Sequence, residues 1–185
     1  MDDLNKMIYK NWITFNKNIP IEDNEEAKIE RIKLYNNIDV NSNGSLSINE
    51  IFVVISHKIN YHNSNLKSAV FKAFETIRLL RDEKSKLNCE DHFLIFREFR
   101  KFLVYLRQYF EYYLMFEAID SNDTRKVDIY EFEAALPFIK KWGHEIFDVK
   151  KSFKEIDDNE SGIITFDEFC FWAIKNSLKI PIEDD

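Results

Sequence analysis

The stretch Asp39-Val40-Asn41-Ser42-Asn43-Gly44-Ser45-Leu46-Ser47-Ile48-Asn49-Glu50 decides how the rest of the chain is read. Side-chain oxygens fall at positions 1, 3, 5 and 9 of these twelve residues, a glycine at 6 and a glutamate at 12. A hard divalent cation the size of calcium takes about six to eight oxygens at roughly 2.3–2.6 Å. Asp39, Asn41 and Asn43 each offer one oxygen, Ser45 its backbone carbonyl, Ser47 a bridging water, and Glu50 both carboxylate oxygens. Gly44 allows the sharp turn because it has no Cβ to clash at positive φ. Leu46, at position 8, points away from the ion into a core. An Asn/Ser-rich surface turn has no need of all these constraints together.

This is the spacing of an EF-hand calcium loop, and it recurs. Asp157 to Glu168 fits it through Asp157, Asn159, Ser161, Gly162, the Ile163 carbonyl, Thr165 and Glu168. Asp120 to Glu131 fits less well. Asp120, Asn122, Thr124, Lys126 through its carbonyl, Asp128 and Glu131 stand at the ligand positions, but Arg125 replaces the glycine at position 6. A non-glycine residue there costs about 1 kcal/mol if φ is positive. Three ligand carboxylates push the other way, and on balance favour binding. Counting back twelve residues from Glu98 gives a degenerate second hand, with Leu87, Cys89, Asp91 and His92 at positions 1, 3, 5 and 6. This hand is expected to bind no ion and to partner the first. Leu94 at its position 8 would pair with Leu46, and Val127 with Ile164.

Composition agrees with a helical protein. The 185 residues include 17 Phe but only 3 Gly and 3 Pro, few breakers for a chain of this length. A net charge of −7 argues against nucleic-acid backbones as partners. Cys89 and Cys170 suggest no disulfide framework. No apolar run reaches the roughly 18 residues of a membrane span, and the start Met1-Asp2-Asp3 lacks the glycine of N-myristoylation. An intracellular, cytoplasmic chain without acylation is expected. The N-x-[ST] triplets at Asn43, Asn122 and Asn159 lie inside the loops, whose own pattern generates them. His57, His62, His92 and His144 show no metal or triad spacing, and no glycine-rich phosphate loop is present. An enzyme is not expected.

Helical periodicity fills the intervals. Leu4, Met7, Ile8, Trp12 and Phe15 mark an amphipathic helix that ends near Pro20. Asp23 with Glu26 reads as a capping box, and Ile29, Ile32, Tyr35 and Ile38 as the buried face that follows. Residues 95–119 hold no Gly or Pro and predict a single helix of about 36 Å joining two lobes. Trp142-Gly143 reads as a helix C-cap and Asp148 as the next N-cap. The expected architecture is all-α: two pairs of EF-hands, short two-stranded ribbons between paired loops, and a long connecting helix. Its parts are an N-terminal helix (1–22), an N-lobe (23–108), a C-lobe (109–178) and an acidic tail (179–185).

Beyond the loops, the chain resembles the flagellar calcium-binding proteins of kinetoplastids, the calflagins. The resemblance is carried by Trp12 through Ile19-Pro20 and by Arg31-Ile32-Lys33-Leu34. It continues through Ser85-Lys86-Leu87 to Phe96-Arg97-Glu98-Phe99-Arg100, and Tyr109-Phe110-Glu111 to Met115-Phe116. Ala135-Leu136-Pro137, Trp142-Gly143, and Phe166-Asp167-Glu168-Phe169 with Trp172-Ala173 complete it, so that it spans about residues 11–178. The resemblance implies a calcium-responsive protein of a flagellum or cilium, and relatives that also lack glycine at position 6 of the third loop. It further implies an acylated N-terminus, from which this sequence departs in having no Met-Gly-Cys start.

Two function classes follow. In the first, the chain is a calcium sensor or adaptor for a protein target, axonemal or cytoskeletal, and a monomer when free. The first and fourth loops pair two carboxylates with neutral oxygens, which implies affinities of roughly 10⁻⁷–10⁻⁵ M. Calcium is then expected at these two loops, with the third loop a further site. In the second, the chain is a structural component of a ciliary or cytoskeletal assembly that calcium stabilises. Pure buffering ranks third and would need nanomolar sites.

Overall fold

The computed structural model describes residues 2–61, 64–81 and 93–181. In chain order these form α1 (Asp2–Asn18), α2 (Glu25–Ile38), α3 (Ile48–Ile59), α4 (Ser64–Leu79) and α5 (Phe96–Ile119). Then come β1 (Lys126–Val127), α6 (Ile129–Ala134), α7 (Leu136–Lys141), α8 (Val149–Ile156), β2 (Ile164–Thr165) and α9 (Phe166–Lys175). The mostly helical class expected from the sequence is what forms, and each loop quoted above separates two helices. Residues 87–92 of the degenerate hand and 182–185 of the acidic tail lie outside the described residues.

Contacts divide the chain into two compact units, residues 13–110 and residues 1–12 with 111–185. In the first unit, Phe15 stacks on Phe110 at 4.7 Å, and Tyr61 meets Phe110 edge-on at 5.3 Å. Tyr35 lies edge-on to Phe96 and Phe99, each at 5.2 Å. Leu46 and Leu94, both fully buried, form the expected antiparallel bridge. Leu46 N donates to the Leu94 carbonyl at 2.8 Å, and Leu94 N returns the bond at 2.9 Å. Each large apolar side chain buried this way contributes roughly 1.5–3 kcal/mol.

Two expectations for α2 are corrected. The N-cap is Asn24, whose side chain accepts from Ala27 N at 2.8 Å, and not Asp23. Asp23 stands one residue too far upstream, and its carboxylate faces Arg100 Nη1 at 3.5 Å. The buried face is Ala27, Arg31, Leu34, Tyr35 and Ile38, whereas Ile29 and Ile32 are 52% and 39% exposed. Arg31 turns the helix one position round. Its Nη1 donates to the Glu22 carbonyl at 2.6 Å and to the Pro20 carbonyl at 3.2 Å, so a cationic residue occupies a core position with that end of the guanidinium hydrogen-bonded. In α1, Ile8, Trp12 and Phe15 are buried as expected, with Ile19 just beyond, while Met7 is exposed.

In the second unit β1 pairs with β2 antiparallel, Val127 opposite Ile164 as expected and Lys126 opposite Thr165. Phe116 sits 5.6 Å from both Phe166 and Phe169, and Phe132 lies 5.8 Å from Phe153. Gly143, at φ +99°, turns the chain after α7, and Asp148 caps α8 by accepting from Lys151 N at 3.0 Å. The segment after α9 folds back. Leu178 and Ile180 are buried, Ile180 N donates to Glu111 Oε1 at 2.7 Å, and the Tyr9 hydroxyl donates to the Pro181 carbonyl.

Candidate calcium loops

Loop 1 lies between α2 and α3, loop 3 between α5 and α6, and loop 4 between α8 and α9. In each, the position-1 aspartate gathers the turn around itself. Asp39 Oδ1 accepts from Asn43 N at 3.1 Å and Oδ2 from Gly44 N at 3.0 Å. Asp157 repeats this with Ser161 N at 2.9 Å and Gly162 N at 2.8 Å. Asp120 does so with Thr124 N at 3.0 Å and Arg125 N at 2.7 Å. Position 3 joins the same knot in loops 1 and 3, where Asn41 Oδ1 and Asn122 Oδ1 accept from Asn43 N and Thr124 N. At position 5, Asn43 Oδ1 accepts from Ser45 N at 2.8 Å. Thr124 and Ser161 donate their hydroxyls to the position-7 carbonyls of Lys126 and Ile163, each at 3.1 Å.

Position 6 separates the loops. Gly44 and Gly162 have φ of +77° and +81°, and Arg125 takes +60°. The third loop therefore adopts the glycine conformation with an arginine, its side chain exposed.

Positions 9 and 12 do double duty that the sequence reading missed. Ser47 and Glu50, Asp128 and Glu131, and Thr165 and Glu168 each form a capping box that starts the exit helix. One carboxylate oxygen of each glutamate accepts from the position-9 amide, at 2.9, 3.1 and 2.8 Å. The signal was present, since position 9 is Ser, Asp or Thr three residues before Glu in every case. The other oxygen faces across the loop. Asn41 Nδ2 meets Glu50 Oε1 at 3.2 Å, and Asn159 Nδ2 meets Glu168 Oε1 at 2.8 Å. In loop 3 the buried Glu131 instead accepts from Ser121 N at 3.1 Å, Ser121 Oγ at 3.0 Å and Asn122 N at 3.3 Å.

The donor chemistry fits calcium: carboxylate, amide and hydroxyl oxygens with a backbone carbonyl, and no thiolate or imidazole. Among the described residues no three His, Cys, Asp or Glu side chains converge on one point, so these sets lean on neutral oxygens. Of the histidines, His144 packs edge-on against Trp172 at 5.3 Å, and His62 and His92 lie outside the described residues. Cys170 is buried in α9, and Cys89 is outside the described residues.

Paired helix–loop–helix units, with an antiparallel backbone bridge between the loops of each pair, define an EF-hand protein. Two family models match accordingly: the FCaBP EF-hand domain over residues 15–106 and the EF-hand domain pair over residues 110–174. The chain is 32% identical over 178 residues to the flagellar calcium-binding protein TB-17 of Trypanosoma brucei brucei, covering 94% of this chain and 75% of that one. Flagellar calcium-binding protein TB-24 of the same organism is 33% identical over 94% of this chain and 80% of its own length. The flagellar calcium-binding protein of Trypanosoma cruzi is 33% identical over 94% and 82%. The chain belongs to the flagellar calcium-binding protein family, the calflagins.

Proposed function

We propose that this chain is a calcium sensor or adaptor of a cilium or flagellum, taking up calcium at loops 1 and 4, with loop 3 a further site. The ligands are those read from the sequence: Asp39, Asn41, Asn43, Ser45, Ser47 and Glu50, and Asp157, Asn159, Ser161, Ile163, Thr165 and Glu168. In loop 3 they are Asp120, Asn122, Thr124, Lys126, Asp128 and Glu131. The observation that carries this is shared by loops 1 and 4. The position-1 carboxylate is already turned inward, and positions 3 and 12 already meet across the loop. The relatives' names support both the ion and the address. The target is a protein of the axoneme or cytoskeleton, and the free chain is a monomer.

Calorimetric calcium titration of the intact chain and of Glu50→Gln, Glu131→Gln and Glu168→Gln tests the sites. Two or three sites of roughly 10⁻⁷–10⁻⁵ M are expected, each variant losing its own. No uptake at millimolar free calcium overturns the reading.

One observation favours the structural alternative: the exit helices are already capped by positions 9 and 12, so an ion adds to a frame partly closed. Salt-resistant co-sedimentation with axonemes, with or without calcium, would select it. A calcium-dependent change in tryptophan emission and in exposed apolar surface would select the sensor.

A further inference from the structure

The second hand carries a cation of its own. Counted as a loop ending at Glu98, Phe93 is its position 7 and Glu98 its position 12. In an EF-hand those positions give the ion one backbone carbonyl and two carboxylate oxygens. Here Arg81 takes all three. Its Nε donates to Glu98 Oε1 at 3.0 Å, and its Nη2 donates to Glu98 Oε2 at 3.0 Å and to the Phe93 carbonyl at 2.5 Å. The Arg81 side chain is 1% exposed and that of Glu98 12%. The position-9 amide of Ile95 donates to Glu98 Oε2 at 3.4 Å, the bond that Ser47, Asp128 and Thr165 make to their own glutamates. Glu98 is thus set as a ligand like the other three, and it meets a guanidinium.

We propose that Arg81 is the resident cation of the second hand. It ties Phe93 to Glu98 at every calcium level, so that loop 1 meets its ion with Leu94 already in place. A planar guanidinium matches a carboxylate with two parallel bonds and cannot lose its charge in a protein. The connection to loop 1 is short. Phe93, whose carbonyl Arg81 holds, precedes Leu94, and Leu94 exchanges both backbone hydrogen bonds with Leu46 at position 8 of loop 1. Tyr35 Oη spans the same bridge, 2.9 Å from the Gly44 carbonyl and 3.3 Å from that of Leu94. The sequence gives no sign of this pairing, because Arg81 lies upstream of the loop whose glutamate it holds.

The calcium half of this proposal rests on loop 1 binding calcium, and the Arg81 clamp on Phe93 and Glu98 does not, so two measurements separate them. In chelator, amide hydrogen exchange at Leu46 and Leu94 is compared in the full chain and in Arg81→Met, Arg81→Ala, Arg81→Lys and Glu98→Gln. Exchange at both amides should quicken in Arg81→Met, Arg81→Ala and Glu98→Gln and less so in Arg81→Lys, which keeps the charge but not the fork. Methylguanidinium at a non-denaturing concentration should slow it again in Arg81→Ala, which a merely space-filling arginine does not predict. In calcium titrations Arg81→Lys should weaken loop 1 by about tenfold, within the usual range of coupling between sites, and leave loop 4 unchanged. Wild-type exchange at Leu94 in Arg81→Met, or no rescue by methylguanidinium, overturns the resident cation. Quickened exchange in Arg81→Lys with unaltered loop 1 affinity overturns the link to loop 1. A wild-type chain that takes up no calcium at loop 1 overturns that link and the proposed function together.

Discussion

Asn159 and Glu168, the third and twelfth residues of loop 4, touch, with the amide nitrogen of one 2.8 Å from Oε1 of the other. An ion ligated by both needs the carbonyl end of Asn159, so the amide must turn over and this hydrogen bond must break. Asn159→Asp removes the bond from the calcium-free chain and sets two carboxylates facing each other, costing roughly 0.5–1.5 kcal/mol. The same change adds a ligand charge, which tightens calcium. Melting in chelator should therefore fall while loop 4 affinity rises, about tenfold, in a calorimetric titration. A variant that melts as wild type in chelator would show that the contact carries no weight.

Arg125 holds φ at +60° where loops 1 and 4 place glycine. The left-handed region costs an ordinary residue about 1 kcal/mol. Glycine relieves that cost but gives roughly 0.4–1 kcal/mol back through its freedom in the unfolded chain. Arg125→Gly should then change the melting free energy by no more than about 0.6 kcal/mol. It also removes a positive charge from the rim of an acidic loop, so calcium uptake at loop 3 should tighten. Titration of this variant alongside Glu131→Gln isolates the third loop.

The loops were legible because coordination fixes residue type at every second or third position, and the helices between them because breakers are scarce. Val127 against Ile164 and Leu46 against Leu94 followed from loop position 8 alone. Less legible was anything set by distant partners. Nothing local marks Arg31 as a core residue, since the carbonyls that satisfy it belong to Pro20 and Glu22 in the preceding turn. Hydrophobic spacing therefore put Ile29 and Ile32 inside where the chain keeps them out. Glu131 is a similar case. Loop position names it as a ligand, but only the structure shows Ser121 holding its carboxylate.

That grip gives a further expectation. Ser121 Oγ donates to Glu131 Oε1 at 3.0 Å, on the oxygen that Asn41 and Asn159 touch in the other two loops. Ser121→Ala removes a hydrogen bond to a buried carboxylate, worth about 1.5–3 kcal/mol, from the calcium-free form. The ion competes for that oxygen, so losing the hydroxyl should cost less when calcium is bound. The melting temperature of Ser121→Ala should lie clearly below wild type in chelator and close to it in saturating calcium. Equal deficits in both conditions would mean that Ser121 stays on Glu131 throughout.

Ile164 tests whether the ribbon unites loops 3 and 4. Its side chain is buried at position 8 of loop 4, and its backbone pairs with Val127 at position 8 of loop 3. Ile164→Ala leaves a cavity and should cost about 2–5 kcal/mol. Because the ribbon is shared, the loss should appear in calcium affinity at both loops. Lys126→Ala is the control, since that side chain is exposed and loop 3 uses only its carbonyl.

Calcium removal should lower the stability of the chain by a calculable amount. A ligand that binds only the folded state stabilises it by about 2.7 kcal/mol when present at a hundred times its dissociation constant. Two such loops in one cooperative chain add about 5 kcal/mol. A chain of this length shifts its melting temperature by roughly 2–4 °C per kcal/mol. Saturating calcium should therefore raise the midpoint by about 10–20 °C over chelator, and Glu50→Gln or Glu168→Gln should each forfeit about half of that. Because the two loops belong to separate compact units, the alternative is two resolved transitions in scanning calorimetry. Glu50→Gln would then lower one and Glu168→Gln the other. An unchanged midpoint on adding calcium would leave these loops without an ion to hold.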